Sequence, residues 1–455
     1  MIKTVDDSKQ YIVPQVDISS RELLNKVTYR DEKENIKLDP KKFTKIFKVI
    51  TRTKYFKGHF MAYDYETGIT EGLDDIEIER LIKYILDKMD KKLWNLKLEY
   101  TIKEILKREV DILTQIPKYS NYVFLENGIY NIGTRKLEKF TPNFIIVNKI
   151  RTKYNQEATC PEFLNFINQA MMGDKELIMV IQEMIGYCLV DCSNAQKFFL
   201  LYGVGSNGKS VLGDVIRNVL GDENVSSVSV NQMKDNFVVS SIDGKKANIS
   251  SENEANFETE KIKAISSGDV ITFDIKYKMP YEYRPTCKLI FISNTLPNTY
   301  DNSLGFYRRL MIIPFNNIVK PEQKDVNLTQ KLIQEKEGIL LWALEGLNRL
   351  VSNNYNFTKS ETIEKMLKEY KDSQDPVHMF VKESLKSEKD SRINKKELIE
   401  KYVNWAISNS IDTKGTDSNS KFWKELRRVT AIEGMVIEEK KSKNSRYIKH
   451  LSWVA

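Results

Sequence analysis

The chain has 455 residues, with 71 lysines and arginines against 63 aspartates and glutamates, three histidines and four cysteines. That length exceeds one typical domain, and 41% hydrophobic residues suffice for packed cores, which argues against a disordered chain. A net charge of +8 suits a nucleic-acid partner without demanding one, and His59, His378 and His450 stand too far apart in sequence to suggest a histidine triad or metal cluster.

Residues 1–115 are polar and lysine-rich, with a strand-like piece at Gly58–Tyr63. After Asp74-Asp75 the apolar positions Ile76, Ile78, Leu81, Ile82, Ile85, Leu86 and Met89 recur at helical spacing, and a second helical run covers Tyr100–Leu113. This reads as a small accessory domain for assembly or DNA docking. Residues 116–195 open on VFLENGIYNIGTRKLEKFTP, which predicts a hairpin turning at Asn127-Gly128. A helical stretch broken at Gly173-Asp174 follows.

Residues 196–345 predict an α/β unit with apolar strands at 198–202, 246–251 and 287–293. Residues 346–379 read as a helical linker and 380–455 as a basic module. The cysteines Cys160, Cys188, Cys192 and Cys287 show no CxxC pairing and read as buried free thiols of a reducing compartment. No apolar run nears the ~20 residues needed to span a bilayer, and the N-terminus lacks a signal core, so a cytoplasmic protein without a membrane partner is expected.

The segment Gly203-Val-Gly205-Ser206-Asn207-Gly208-Lys209-Ser210 matches GxxxxGK[ST], preceded by the apolar run FFLLY and followed, from Val211, by an amphipathic helix. Glycines let backbone N–H groups curl around phosphate oxygens, and the helix N-terminus adds partial positive charge. Lys209 is expected to reach the β- and γ-phosphates of ATP, and Ser210 to hold Mg²⁺. An acidic partner is expected on a neighbouring strand, and GKKANISSENE offers Glu252 and Glu254, with the choice between them open. Asn294, ending the run LIFISN, is positioned to sense the γ-phosphate. Arg308 and Arg309, before the run LMIIPF, are candidate arginine fingers, again with the choice open.

The order of these pieces resembles the superfamily 3 helicase core, an AAA+ ring ATPase. More closely it resembles the phage, plasmid and genomic-island primase-helicases related to the poxvirus enzyme. The signatures are FFLLYGVGSNGKS, SGDVITFDIKYKMPYEYRPTCKLIFISNTLP and GFYRRLMIIPF, with CPEFLNFINQAMMGD and IQEMIGYCLV upstream. The resemblance covers residues 120–320 well and the first 110 residues hardly at all. It implies an α/β AAA+ P-loop ATPase core with a helical N-terminal region, and a hexamer moving 3′→5′ on DNA. An arginine would be supplied from the next subunit, and Lys276, Tyr277 and Lys278 of a channel hairpin would grip single-stranded DNA. Tyr277 stands where relatives can carry a histidine.

The C-terminal module resembles a winged helix, with Arg427, Arg428, Lys441, Lys443 and Arg446 as candidate duplex contacts. Relatives often carry an N-terminal primase. Here Asp64 and Glu66 of YDYETG find no companion motif, so the primase reads as absent and a separate primase or polymerase as a partner.

The expected function is therefore an ATP-driven replicative DNA helicase of a mobile element in a bacterial host, with origin recognition as an added role. The alternatives are an ATP-switched DNA-binding initiator that unwinds little, and a small-molecule kinase. The kinase reading leaves the basic hairpin and the arginine pair unexplained.

Overall fold

The run FFLLY is apolar on both faces because it becomes the centre of a parallel sheet covered on both sides. In a computed structural model, which describes residues 6–251, 257–274, 280–297, 299, 301, 303–320, 322, 324–409, 419–441 and 446–454, strand Phe198–Tyr202 pairs in parallel with Lys288–Ser293 and with Leu310–Pro314. Ala247–Ser250 and Val225–Ser226 extend the sheet beyond Lys288–Ser293, making five strands. Alternate residues of the central strand enter different cores. Phe199 and Leu201 pack with Leu212, Val215 and Ile216 of helix Lys209–Leu220. Phe198 and Leu200 pack on the opposite face with Phe257, Phe291 and Phe306.

The first of these cores runs on into the helices Pro161–Ala170, Lys175–Cys188 and Lys336–Ser352. Asp174 starts the second, its carboxylate accepting the Leu177 amide at 3.0 Å. Helices Lys175–Cys188 and Lys336–Ser352 approach backbone to backbone. A Cβ at Gly186 would lie 2.4 Å from the Ala343 carbonyl oxygen, and one at Gly346 2.4 Å from that of Gln182. Residues 346–379, expected as a linker, are packed instead: Leu347, Leu350, Ile363 and Tyr370 are buried in the two cores.

The first 115 residues hold a core of their own, on a four-stranded sheet ordered Thr70–Leu73, His59–Tyr63, Lys54–Phe56, Ile112–Leu113. Three helices cover it: Pro40–Thr51, Asp75–Asp90 and Leu96–Glu109. The predicted Tyr100–Leu113 helix starts earlier because Asn95 caps it, accepting the Leu98 amide, and its last two residues become a strand. Asp64 is buried and builds a turn, accepting the Glu66 and Thr67 amides and the Thr67 hydroxyl. The hairpin joins Tyr122–Leu125 to Gly128–Asn131 through Glu126-Asn127, one residue before the expected Asn127-Gly128 turn because Gly128 already pairs with Leu125, and Lys136–Glu138 adds a third strand.

The C-terminal module packs helices Pro376–Ser384, Lys395–Ser408 and Asn419–Ile432 against a three-stranded antiparallel sheet. Two of the strands, Glu438–Lys441 and Arg446–Trp453, pair antiparallel. The third, Leu385–Asn394, was not expected: every residue between Leu385 and Ile393 is polar and nearly all are exposed, so it carries no alternating strand pattern. No helix among the described residues is long and apolar enough to cross a membrane, and the four cysteines are free and buried.

Candidate functional site

Parallel strands end together, so the C-terminal edge of the sheet gathers the segments that leave Tyr202, Ser250, Ser293 and Pro314. The Gly203–Gly208 loop leaves the central strand there. Gly203 sits against the Phe315 carbonyl, where a Cβ would lie 2.4 Å from the oxygen, so no side chain fits. Gly205, Ser206 and Gly208 all have positive φ, of 46°, 49° and 85°, which turns the backbone tightly enough to restart as a helix at Lys209. Gly208 caps that helix without a side-chain hydrogen bond, unlike the aspartate-capped helices elsewhere. Its first-turn N–H groups are therefore left for a ligand or solvent.

Lys209 is buried, and its Nζ donates to the Gly203 carbonyl at 2.5 Å, Asn207 Oδ1 at 2.8 Å and Asn294 Oδ1 at 3.1 Å. Burial holds this ammonium below the ordinary lysine value. Asn294 also accepts the Gly205 amide, at 3.4 Å. The structure thus brings together the loop, Lys209 and Asn294 from two adjacent strands. Ser210 is exposed on the first helical turn and Val211 half-buried against the core.

Asn207, which the sequence marks only as a loop residue, is buried and tied twice: its Nδ2 donates to the Phe315 carbonyl at 2.9 Å while its Oδ1 accepts from Lys209. The Ser206 carbonyl accepts the Val319 amide, so the loop is clamped to the segment leaving the edge strand. No sequence signal marks these long-range ties. Glu252 and Glu254 lie outside the described residues. The strand leading to them, Ala247–Ser250, lies beside Lys288–Ser293.

The arginines lie at the other edge of the sheet. The Arg309 carbonyl accepts the Phe198 amide at the start of the central strand. The Arg309 guanidinium is held on Ser267 Oγ at 2.7 and 2.9 Å, and burial and neighbouring Arg308 lower its pKa. Arg308 is exposed, with one bond to Gln196 at 3.0 Å. Strands Ile271–Phe273 and Tyr281–Tyr283 pair antiparallel, and Lys276, Tyr277 and Lys278 belong to the connection between them, outside the described residues.

In the C-terminal module Arg446 and Lys441 face each other, exposed, across an antiparallel strand pair, and Lys443 lies outside the described residues. Arg427 binds Glu439 at 2.8 Å. Arg428 is held by Glu425, Asp375 and Asp372, and hydrogen bonding to Glu425 raises its pKa. Its bonds fasten the module to the preceding segment.

Two family models match the chain: "D5 N terminal like" over residues 48–172 and a family of unknown function, DUF5906, over residues 201–309. A protein of Acanthamoeba polyphaga mimivirus named "Putative helicase L207/L206" is 25% identical over 260 residues. That alignment takes in 50% of this chain and 27% of the relative, so the chain corresponds to about a quarter of that protein. Among solved structures, an apo form of the NrS-1 C-terminal region is similar over 88% of this chain and 95% of its own, at 12% identity and a TM-score of 0.49. A second apo structure of that region gives 14% identity, 88% and 96% coverage and a TM-score of 0.46. The chain is an α/β protein with similarity to helicase-type replication proteins.

Proposed function

We propose that the chain is an ATP-driven replicative DNA helicase of the superfamily 3 AAA+ type, working as a ring. The observation that carries this reading is Lys209, held by Gly203, Asn207 and Asn294 at the C-terminal edge of a parallel sheet, beside an uncapped helix N-terminus. Triphosphate oxygens would replace the three oxygens that Lys209 now contacts and would accept the free first-turn N–H groups. Ser210 would hold the Mg²⁺ that enters with the nucleotide, and Glu252 or Glu254 would orient water. Asn294, already touching both Lys209 and Gly205, would register whether the γ-phosphate is present.

The D5-type match and the helicase-named relative support assigning the energy of hydrolysis to strand separation. Lys276, Tyr277 and Lys278 would grip single-stranded DNA, and Lys441, Lys443 and Arg446 would meet duplex. Mobile-element context and origin recognition through the C-terminal module belong to the same reading. Lys209→Ala should abolish ATP hydrolysis and the unwinding of a forked duplex together, and Lys276→Ala should spare basal hydrolysis while losing unwinding. A wild-type protein that hydrolyses ATP and binds one duplex tightly, yet never separates strands, would establish the initiator reading instead.

A further inference from the structure

A cavity of about 670 Å³ lies at the opposite edge of the sheet from Lys209, where the first 115 residues, the segment around Tyr119 and the sheet unit meet. Lys57, Lys118 and Arg284 line it, with the rings of Tyr119 and Tyr283. Both rings are fixed: Tyr119 Oη accepts the Ile145 amide and Tyr283 Oη the Gly244 amide, each at 3.1 Å. Phe273 stacks on Tyr283 with centroids 5.3 Å apart, and Lys118 Nζ lies 5.3 Å from the Tyr283 ring.

The electrostatics of the cavity favour an anion. Lys118 and Arg284 donate to backbone carbonyls, of Arg284 and Gly268, and neither forms a direct ion pair among the described residues, although Asp191 and Asp243 lie near enough to attract Lys118. Of the lining carboxylates, Asp191 is paired with buried Lys246 at 2.8 Å, which leaves Asp243, hydrogen-bonded by the Tyr281 hydroxyl, and Glu282 against Lys57, Lys118 and Arg284, with Lys288 behind them. Lys288, 2% exposed behind the cavity, donates to the carbonyls of Val190 and Thr286 and lies over the Tyr187 ring, with Asp191 near enough to attract it. Fixed aromatic faces beside unneutralised cations are the combination that takes a base and its phosphate.

We propose that this cavity binds a nucleotide unit, its phosphate on Lys118 and Arg284 and its base against Tyr119 and Tyr283. Tyr283 ends the hairpin strand Tyr281–Tyr283, so the unit is one residue of a single strand passing the hairpin root. The strand as source rests on the DNA-binding reading above; the site itself does not. A free mononucleotide presents the same chemistry.

The test is fluorescence anisotropy of labelled oligothymidylate on the full chain, as a function of salt, with unlabelled dTMP titrated separately. Arg284→Glu and Lys118→Ala should each flatten the salt slope by about 0.7, the loss of one single-strand phosphate contact. Tyr283→Ala should weaken binding roughly tenfold, the scale of one lost base stack. Basal ATP hydrolysis should be unchanged in Arg284→Glu, whose exposed side chain leaves the fold intact. Saturable dTMP binding lost in Arg284→Glu, with oligomer binding unaltered, would keep the site and change its source. Wild-type oligomer binding that Arg284→Glu and Lys118→Ala leave intact in affinity and slope, with no dTMP binding, overturns the cavity alone. A wild type that binds neither probe overturns the cavity and the DNA reading together.

Discussion

Replacing Asn207 separates a structural clamp from a solvated loop residue. Asn207 is 4% exposed, and both of its polar side-chain atoms are paired. Asn207→Ala removes one of three acceptors from a buried ammonium, a loss of about 1.5–3 kcal/mol for a hydrogen bond to a charged group. It also strips the Phe315 carbonyl of its donor, at the low end of about 1–3 kcal/mol, because the neighbouring Ser206 is exposed and water can reach in. The sum is about 2.5–4 kcal/mol, against the ±0.5 kcal/mol of an ordinary surface change.

Asn207→Asp keeps the size and pairs with Lys209, but it sets an oxygen against the Phe315 carbonyl and competes with phosphate for the lysine. Urea denaturation followed by circular dichroism measures the first effect, and titration with a fluorescent ATP analogue the second. Asn207→Ala should lower stability by the amount given. Asn207→Asp should lose less stability and more nucleotide affinity. If Asn207→Ala stays within about 0.5 kcal/mol of wild type and binds nucleotide equally well, the clamp is not what holds Lys209.

Gly346→Ala forces a methyl to within 2.4 Å of the Gln182 carbonyl oxygen, which is backbone and cannot rotate away. It should destabilise by about 1–3 kcal/mol despite its better helix propensity, whereas Gly72→Ala, with nothing within 4 Å of its Cβ, should be near neutral in the same denaturation series. Arg308→Ala should leave the melting curve unchanged and remove ATP hydrolysis in the assembled protein. Arg309→Ala should lower thermal stability, because that guanidinium is tied to Ser267; equal melting of the two variants would contradict the division of roles.

Burial holds the Lys288 pKa below the ordinary 10.5, so the unfolded chain binds more protons in the window beneath that value. The contribution of Lys288 to stability therefore rises with pH there. Urea midpoints of wild type should gain on those of Lys288→Met between neutral pH and about 10, and parallel profiles would exclude a strained ammonium.

Local signals in the sequence were legible where one short stretch carried the whole reason. FFLLY is apolar on both faces because both faces are covered, and the expected hairpin forms with its turn one residue early, at Glu126-Asn127, as the register Leu125↔Gly128 requires. Asp74 and Glu77 close a capping box that starts the first predicted helix. Signals spread over distant segments were not legible. Leu385–Asn394 is a strand only because Arg446–Trp453 lies beside it. The close approach that Gly186 and Gly346 permit shows only where the two helices meet. At the site, the loop, Lys209 and Asn294 could be named from spacing, but Phe315, which fixes Asn207, is an apolar residue contributing only its carbonyl. Arg428 looked like a free cation, although three carboxylates surround it.

The sheet also bears on why the proposed ATPase would need more than one copy. Strand Leu310–Pro314 runs parallel to the strand feeding the Gly203–Gly208 loop, with Phe198↔Leu310 and Tyr202↔Pro314 in register. Arg309 precedes the first pair and the loop follows the last. At about 3.3 Å per residue the two are separated by about 20 Å along the strands, well beyond the reach of an arginine side chain. Arg308 therefore cannot touch a phosphate held by Lys209 of the same chain. If Arg308 serves a γ-phosphate, that phosphate is bound to another copy, whose loop edge faces this copy's arginine edge. Such a contact joins different surfaces of identical chains, head to tail, and closes only by forming a ring.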